Sequence, residues 1–278
     1  MDFCHIAPTP HLSLTSGRPV HLVLAHLIEE DEAYVNYYLN QKDEHDCTII
    51  MDNSAFEMYK QNRPMYDSSK LITMGERISA DYIVLSDYPD SDPENTIEAA
   101  MIMAPVIKEE GFRTFFVPQG NKGSIDDLKY AFDWASRSDL VDYIGVSILA
   151  APLAYDVESG NKLQRFNSRL RLMYDLRREG ILEDIRKNNK KIHFLGMVDG
   201  PNEIMFMNPF KGYIDTWDSS AAVWLGLNDQ NFDDTPTGRR DGKFEEEVNF
   251  NFSTEVVDFL EKAMDNMEYI DKLCEEYL

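Results

Sequence analysis

Cysteine is scarce in this sequence. The chain of 278 residues contains three cysteines, Cys4, Cys47 and Cys274, which form an odd and scattered set. Zinc sites usually take ligands from close pairs such as Cys-x-x-Cys, and small disulfide-stabilised proteins carry an even, dense set of cysteines. The sequence therefore predicts neither a disulfide framework nor a zinc knuckle.

Positive charge is scarce as well. Lys and Arg total 27 against 50 Asp and Glu, which gives a formal net charge of -23. The phosphates of DNA or RNA repel so acidic a chain at long range. The short basic clusters at 177–178, 187–191 and 239–240 are typical of solvated helix ends and loops. Nucleic acid stays open as a partner but is disfavoured.

Long apolar runs are missing. No stretch approaches the ~20 apolar residues of a membrane span, and the N-terminus lacks the pattern of a secretory signal. We expect a cytoplasmic protein with no membrane partner. The composition, with 43% hydrophobic residues, provides for a large core.

Short apolar, β-rich runs alternate with longer segments of helical period. Seven runs predict strands, at 21–27, 48–51, 82–85, 114–117, 143–148, 192–195 and 213–217. An eighth strand is expected from either 4–6 or 12–14. This alternation predicts parallel strands joined by covering helices. We predict an α/β fold, a (β/α)8 TIM-type barrel that forms a single domain over residues 1–278, with an open doubly wound sheet as the alternative.

Two helical patterns are specific enough to predict buried faces. Ile97, Met101 and Ala104 share one face of a predicted helix. After a charged loop at 228–243, a C-terminal helix is predicted at 254–277. Its apolar stripe, which predicts core packing, consists of Val256, Leu260, Met264, Met267 and Ile270.

Polar residues come at the ends of several predicted strands. Asp52, Asp87, Gln119 and Asp218 each follow an apolar run, and Gly145 interrupts another. Singly, an Asp at a strand end can cap the next helix and a Gly can serve a turn. The carboxyl ends of barrel strands, however, share one mouth, where barrel enzymes assemble their active sites. We therefore expect these residues to converge there.

The order of these segments resembles the tRNA-guanine transglycosylase family. The family carries, in order, a general-acid string, a base-binding Asp, a Val-Gln-Gly string, a Gly-containing strand and an Asp-x-Phe-Asp string. Similar strings here are MDNSAFE at 51–57, LSDYP at 85–89, VPQG at 117–120, IGVS at 144–147 and IDTWD at 214–218. The resemblance runs from about residue 48 to 226 and rests on the order of the motifs.

The sequence departs from the family after Asp218. The family's Cys-x-Cys-x-x-Cys string with a later His is absent there, where Cys274 stands alone, and SSAAVW at 219–224 replaces a basic string. The resemblance therefore implies a barrel without the zinc-binding subdomain and with no metal site. It also puts a tRNA substrate in doubt.

The resemblance implies a role for each candidate site residue. Asp218 would be the nucleophile at the sugar C1′, and Asp52 the general acid and then base, with no cofactor. Asp87 would face the ring donors of guanine, and Gln119 its O6 acceptor. The remaining base-binding residues would be Gly120, the backbone of Gly145 and Val146, a stacking Phe56, and Met197 on the opposite wall.

Three functions remain open at this point. The first is a pentosyltransferase that exchanges guanine or a 7-deazaguanine. The second is a non-catalytic module that binds a 7-deazaguanine carried by a protein partner or small ligand, similar to transglycosylase-like proteins of antiphage-defence systems. An unrelated barrel enzyme, such as an aldolase or a phosphate-binding isomerase, is disfavoured because neither a central lysine nor a Gly-rich phosphate loop occurs on the late strands.

Overall fold

Eight parallel strands form the central sheet in the computed structural model, which describes residues 1–158, 160–197, 200–233, 235–239 and 247–278. Hydrogen-bonded neighbours follow the order β1-β8-β7-β6-β5-β4-β3-β2, and β1 also lies beside β2. The sheet is therefore a nearly closed barrel, and the predicted (β/α)8 TIM-type fold is confirmed. The strands are β1 (Asp2–His5), β2 (Val20–Leu24), β3 (Thr48–Asp52), β4 (Tyr82–Val84), β5 (Arg113–Phe116), β6 (Tyr143–Ser147), β7 (Lys191–Leu195) and β8 (Thr216–Ser219).

Helices alternate with the strands and cover the sheet. Several begin at a side chain that accepts a hydrogen bond from a backbone N–H of the first turn, as Asp31, Asp67 and Ser124 do. Two short 3-10 helices lie at Thr9–Thr15 and Asn208–Phe210. The α-helices are α1 (Ala25–Glu30), α2 (Glu32–His45), α3 (Ala55–Lys60), α4 (Ser68–Arg77), α5 (Pro93–Glu109), α6 (Ile125–Arg137), α7 (Ala150–Ala154), α8 (Lys162–Arg178), α9 (Ile181–Lys187), α10 (Glu203–Phe206), α11 (Ala221–Leu227) and α12 (Val257–Tyr277).

The strands differ from the sequence prediction by more than one residue at three places. The apolar run at 21–27 is a strand only as far as Leu24, because the chain turns directly into α1. The last strand begins at Thr216 instead of residue 213 and includes Asp218. The eighth strand comes from the region of residues 4–6, since 12–14 lie in a 3-10 helix.

The two predicted helix faces are partly wrong. Met101 is 55% exposed although Ile97 and Ala104 are buried. The last helix begins at Val257 instead of residue 254; Val256, its N-cap, and Met264 are exposed, whereas Met267 and Ile270 are buried. The buried face of α12 packs on α11 and β1 and includes the small and polar residues Ala263 and Asn266, which an apolar pattern does not reveal. Within the predicted loop at 228–243, residues 234 and 240–243 lie outside the described residues.

Both faces of the strands are buried, as expected for parallel strands covered by helices. Toward the barrel axis, the rings of Phe115, Tyr143 and His193 lie within 6.1 Å of one another, centroid to centroid. On the helix side, Phe194 and Trp217 pack with ring centroids 4.5 Å apart. The alternation of side chains along β7 and β8 therefore places His193, Thr216 and Asp218 on the interior face.

Three aspartates at the amino end of the barrel occupy equivalent positions. Asp81, Asp142 and Asp215 each stand immediately before an even-numbered strand, and we call them the amino-end aspartates. Each accepts the backbone N–H of a residue in the preceding strand and pairs with a cation from a covering helix. The N–H donors are Ile49, Thr114 and Ile192, and the cations are Lys42, Lys108 and Arg186, respectively. This arrangement gives Asp215 a structural role at the end opposite to the mouth.

Candidate active site

The predicted site residues lie at the carboxyl ends of the strands. Asp52 is the last residue of β3, Asp87 follows β4, and Asp218 lies in β8; we call these three the mouth aspartates. The charges of Asp87 and Asp218 both act to raise the pKa of Asp52, behind the larger effects of burial and of Glu57. The mouth aspartates therefore share one region of the molecule, as the sequence predicted.

Asp87 is held by two side-chain amides. Nδ2 of Asn53 donates to one carboxylate oxygen at 2.7 Å, and Nε2 of Gln119 donates to the other at 2.5 Å. Nδ2 of Asn53 also donates to the carbonyl of Leu85 at 2.6 Å. All three polar residues are at least 96% buried, since their exposed fractions are 4% or less. The ends of β3, β4 and β5 thus form one buried polar cluster.

This cluster contains one unsatisfied atom. Because the Asp87 carboxylate accepts from Nε2 of Gln119, the amide oxygen Oε1 points elsewhere, and it is buried without a hydrogen-bond partner among the described residues. An unpaired buried acceptor costs on the order of 1–3 kcal/mol. Burial raises the pKa of Asp87 from an ordinary value of 3.8 to about 6, although both amides act to lower it. The cluster is rich in acceptors and suits a ligand that brings N–H donors.

Asp52 lies in an environment that favours its protonated form. Burial, followed by the charge of Glu57, raises the pKa of Asp52 well above its ordinary value. Its Oδ2 accepts the backbone N–H of Ser54 at 2.8 Å. Ser54 has φ of 56°, and this left-handed conformation turns the chain from β3 into α3. A carboxyl with these surroundings is suited to hold a proton and donate it to a ligand.

Phe56, the predicted stacking residue, lies on α3 and is 40% exposed. The ammonium group of Lys60 lies 4.2 Å from its ring centroid, so one face of the ring is covered by a cation. Lys60 also pairs with Glu247. The other predicted wall, Met197, follows β7 and is 9% exposed. Residues 198 and 199, which follow Met197, lie outside the described residues.

Asp218 is oriented by contacts to one of its two oxygens. Oδ1 accepts from Nε2 of His193 at 2.9 Å and from the backbone N–H of Gly196 at 3.1 Å. Among the described residues, Oδ2 has no hydrogen-bond partner. The carboxylate is 5% exposed and His193 is fully buried. The arrangement fixes the carboxylate and leaves one oxygen available to react.

The glycines predicted at the site lie where packing leaves no room for a side chain. A Cβ on Gly145 would lie 2.7 Å from the ring of Phe115, and one on Gly120 would lie 2.8 Å from the backbone N of Leu128. β6 pairs with β7 over residues 143–147, but its register with β5 includes only Tyr143 and Ile144. The backbone edge of Gly145 and Val146 that faces β5 therefore lies beyond the last paired residue.

A buried ion pair that the sequence analysis missed supports the other side of the mouth. Arg169 in α8 and Glu203 in α10 are both fully buried, with Nε and Nη2 donating to the two carboxylate oxygens at 2.8 and 2.6 Å. The guanidinium also donates to the carbonyls of Val146, Leu195 and Gly196. All five of its N–H groups are thereby used. The ends of β6 and β7 are held rigidly by this pair.

Some of the site residues that the sequence analysis missed have a recognisable signal in the sequence, and others have none. His193 stands in an apolar strand at an inward position, and a histidine in such a run is a recognisable signal. Asn53 directly follows Asp52 and belongs to the segment MDNSAFE at 51–57. The Arg169–Glu203 pair has no local signal, because its members are separated by 34 residues.

Two comparisons with known proteins found no relative of this chain. No protein-family model matches the sequence, and no curated protein matches it. Among the described residues, no group of three or more His, Cys, Asp or Glu side chains is arranged to hold a metal ion. None of the helices in the described part of the chain has both the length and the apolar character needed to cross a membrane.

Proposed function

We infer that the mouth of this barrel binds a guanine-like base and exchanges it at the C1′ of a sugar. This is the reaction of the tRNA-guanine transglycosylase family, which the motifs resemble. The observation that supports it most strongly is the buried acceptor cluster of Asp87 and Gln119, with Oε1 of Gln119 unpaired. Such a cluster suits a ligand with adjacent N–H donors.

Guanine and 7-deazaguanine have a suitable edge. Each presents N1–H and an exocyclic amine as adjacent donors, with O6 as an acceptor beside them. Asp87 and Oε1 of Gln119 would accept from these donors. This refines the role of Gln119, because Nε2, which was expected to face O6, already donates to Asp87. The backbone edge of Gly145 and Val146 would then face O6.

Two aspartates would carry out the chemical step, one as nucleophile and the other as general acid and base. Oδ2 of Asp218 would attack C1′ as the bond from C1′ to N9 breaks, and the bonding electrons would pass to the base. The departing base would take the proton of Asp52. In the second half, the Asp52 carboxylate would remove the N9 proton of the incoming base as N9 attacks C1′ and releases Asp218. Each proton and electron pair is returned, so no other reactant is needed.

A binding module is the second candidate, and the net charge of -23 favours it. The three mouth aspartates have no Lys or Arg partner among the described ion pairs, and phosphates of a nucleic acid would meet negative charge there. A 7-deazaguanine carried by a protein partner or a small ligand would avoid this repulsion. Such a module would need the Asp87 cluster but not the reactive oxygen of Asp218.

Two variants separate these functions. In the enzyme, Asp218→Asn should lower base exchange by several orders of magnitude, while guanine affinity stays nearly unchanged because Asp218 faces the sugar. Labelled guanine would be offered with tRNA, DNA and guanosine, and affinity would be measured by calorimetry. Asp258→Asn, at an exposed position of α12, is the matched control.

Each outcome decides between the candidates. Loss of exchange in Asp218→Asn supports the enzyme. A wild-type protein that binds guanine or 7-deazaguanine without exchange in any carrier supports the module. A wild-type protein that binds neither base contradicts the base pocket itself.

A further inference from the structure

We propose that His193 is a positioning residue for Asp218, held by a hydrogen-bond relay that runs along the barrel interior from Tyr143 through Thr216. The proposal rests on the proposed function in that it assigns a reaction to Asp218. The relay itself follows from the geometry alone. It adds to the site a group that no motif contains.

The relay is continuous and buried. The hydroxyl oxygens of Tyr143 and Thr216 are 2.5 Å apart, and Oγ1 of Thr216 lies 2.6 Å from Nδ1 of His193. Nε2 of His193 then lies 2.9 Å from Oδ1 of Asp218. The exposed fractions of these four residues are between 0 and 5%. Water therefore does not compete for the internal contacts.

The chemistry of the two ends determines the direction of the donors. Burial raises the pKa of Tyr143, so its phenol keeps its proton and can donate to Thr216. At the other end, the Asp218 carboxylate can only accept. Consequently Thr216 donates to Nδ1, and the proton of a neutral His193 lies on Nε2. A single arrangement of protons satisfies every member.

The relay begins at a cavity. Tyr143 and Thr216 line a space of about 300 Å³ at the amino end of the barrel, together with Asp2, Lys191 and Asp215. From this cavity the four side chains extend through the interior to the mouth. The relay therefore connects the two ends of the barrel through groups that carry exchangeable protons.

The second donor to Asp218 is fixed independently. Gly196 has φ of 68°, and its carbonyl accepts from Arg169 at 2.8 Å and from Nε1 of Trp217 at 2.8 Å. The carbonyl of Leu195, which shares a peptide plane with the Gly196 N–H, also accepts from Arg169, and this N–H donates to Oδ1 of Asp218. With His193 and Gly196 both on Oδ1, the carboxylate cannot rotate without losing two hydrogen bonds. Oδ2 stays directed to the reacting carbon.

A purely structural role predicts different behaviour. A buried histidine that only fills the core would matter for folding, but not for turnover in the folded protein. A positioning residue should affect kcat more than KM for the base, because Asp218 does not contact the base. A substitution that keeps an N–H donor should restore the effect.

The kinetic test compares His193→Leu with His193→Gln. We expect His193→Leu to lower kcat about 10- to 100-fold, as for loss of one hydrogen bond to a charged group, with KM for guanine changed less than about twofold. His193→Gln should recover most of the loss because its amide N–H can reach Asp218. His21→Leu is the control, since His21 is 2% exposed in β2 and does not contact the site.

A spectroscopic test does not require activity. The chain has six histidines, so ¹⁵N spectra of their side chains are simple, and His193→Gln identifies the His193 signals. We expect the His193 proton on Nε2. Thr216→Val should shift the Nδ1 signal and Thr216→Ser should not, because only valine lacks the hydroxyl.

The two tests distinguish the proposals. A proton on Nδ1 of His193, or equal Nδ1 signals in Thr216→Val and wild type, overturns the relay. Equal kcat in His193→Leu and wild type also overturns it, and exchange by the wild type would still support the proposed function. A wild type that shows the expected tautomer but no exchange retains the relay and contradicts only the proposed function. If His193→Leu does not fold, the Thr216 pair decides.

Discussion

The amino-end aspartates and the mouth aspartates lie at opposite ends of the barrel and differ in their charged partners. Every amino-end aspartate accepts a backbone N–H and pairs with a lysine or arginine. The mouth aspartates have no such cation. Two of them, Asp52 and Asp87, have raised pKa values through burial. For Asp142 at the amino end, burial is outweighed by the N–H of Thr114 and by Lys108, so its pKa is lowered.

The comparison shows how one side chain serves two purposes in the same fold. A carboxylate with a cation and a backbone donor is stabilised in its charged form and links adjacent strands. A buried carboxylate without a cation is costly to ionise and stays ready to accept a donor or release a proton. Even the buried cation near the mouth, Arg169, is committed to Glu203 and to three carbonyls. The aspartates paired with cations lie at one end, and the carboxyls with raised pKa values lie at the other.

The largest expected effect is on binding at the mouth. Asp87→Ala should lower guanine affinity by about 2–4 kcal/mol, since it removes the acceptor of adjacent ring donors and leaves them unpaired. Calorimetry measures this, and Asp258→Ala is the exposed control. Unchanged affinity in Asp87→Ala would show that the mouth cluster does not recognise the base.

The second effect is a pH dependence that has opposite signs at the two ends. The Asp87 carboxyl has a pKa of about 6 in the folded protein and 3.8 ordinarily, so its contribution to stability is present below pH ~4 and is lost as pH rises through about 6. In Asp87→Asn this loss should vanish. Between pH 4 and 7.5, the free energy of unfolding of Asp87→Asn should therefore rise by about 1–3 kcal/mol relative to that of the wild type.

Denaturant unfolding at both pH values measures this change. Asp142→Asn is the comparison, because a lowered pKa contributes stability above the ordinary pKa that is lost as pH falls. The difference for Asp142→Asn should therefore change in the opposite direction, mostly below pH ~4, so unfolding is also measured at about pH 3. The same sign for both variants would contradict the contrast between the two ends.

The third effect concerns the stability of the amino end. Asp142→Ala should lower the free energy of unfolding by about 2 kcal/mol, because the Thr114 N–H and Lys108 lose their shared acceptor. Glu268→Ala, which breaks an exposed pair with Lys272 in α12, should cost less than about 0.5 kcal/mol. Equal costs measured by urea unfolding would show that the amino-end aspartates are ordinary surface charges.

The smallest effect is expected at α3. Phe56→Ala should weaken guanine binding by about 1 kcal/mol through loss of stacking, with little change in stability because the ring is 40% exposed. Tyr59→Ala on the same helix, where Tyr59 is 54% exposed, is the matched control. Equal affinities of the two variants would exclude Phe56 from the base pocket.

Much of the mouth could be predicted because its residues stand at strand ends. Asp52 and Asp87 close recognisable apolar runs, and the carboxyl ends of parallel strands meet at one mouth. The prediction was less accurate for Asp218, because the apolar run in the sequence does not coincide with the strand in the structure. Asp218 was expected after its strand but lies within it, because 213–215 form the approach to β8 and not its first residues.

The roles of particular atoms could not be predicted from residue types. The sequence offers Gln119 as a donor or an acceptor with equal ease. The contact of its Nε2 with Asp87, which comes from a different strand, is what makes the free atom an acceptor. In the same way, Met101, Val256 and Met264 have the hydrophobicity of core residues but face solvent, since neighbouring helices do not cover them.

The sequence by itself determined the alternation of strands and helices, and with it the barrel and the common mouth, because hydrophobic periodicity and strand-end polar residues are local properties of the chain. Only the tertiary structure decided which aspartates pair with a lysine or arginine and which do not. That choice depends on contacts such as Asp142 with Lys108, 34 residues apart, and Asp218 with His193, 25 residues apart. Burial and hydrogen bonding between distant strands fix the charge state of a carboxyl, and no local pattern records them.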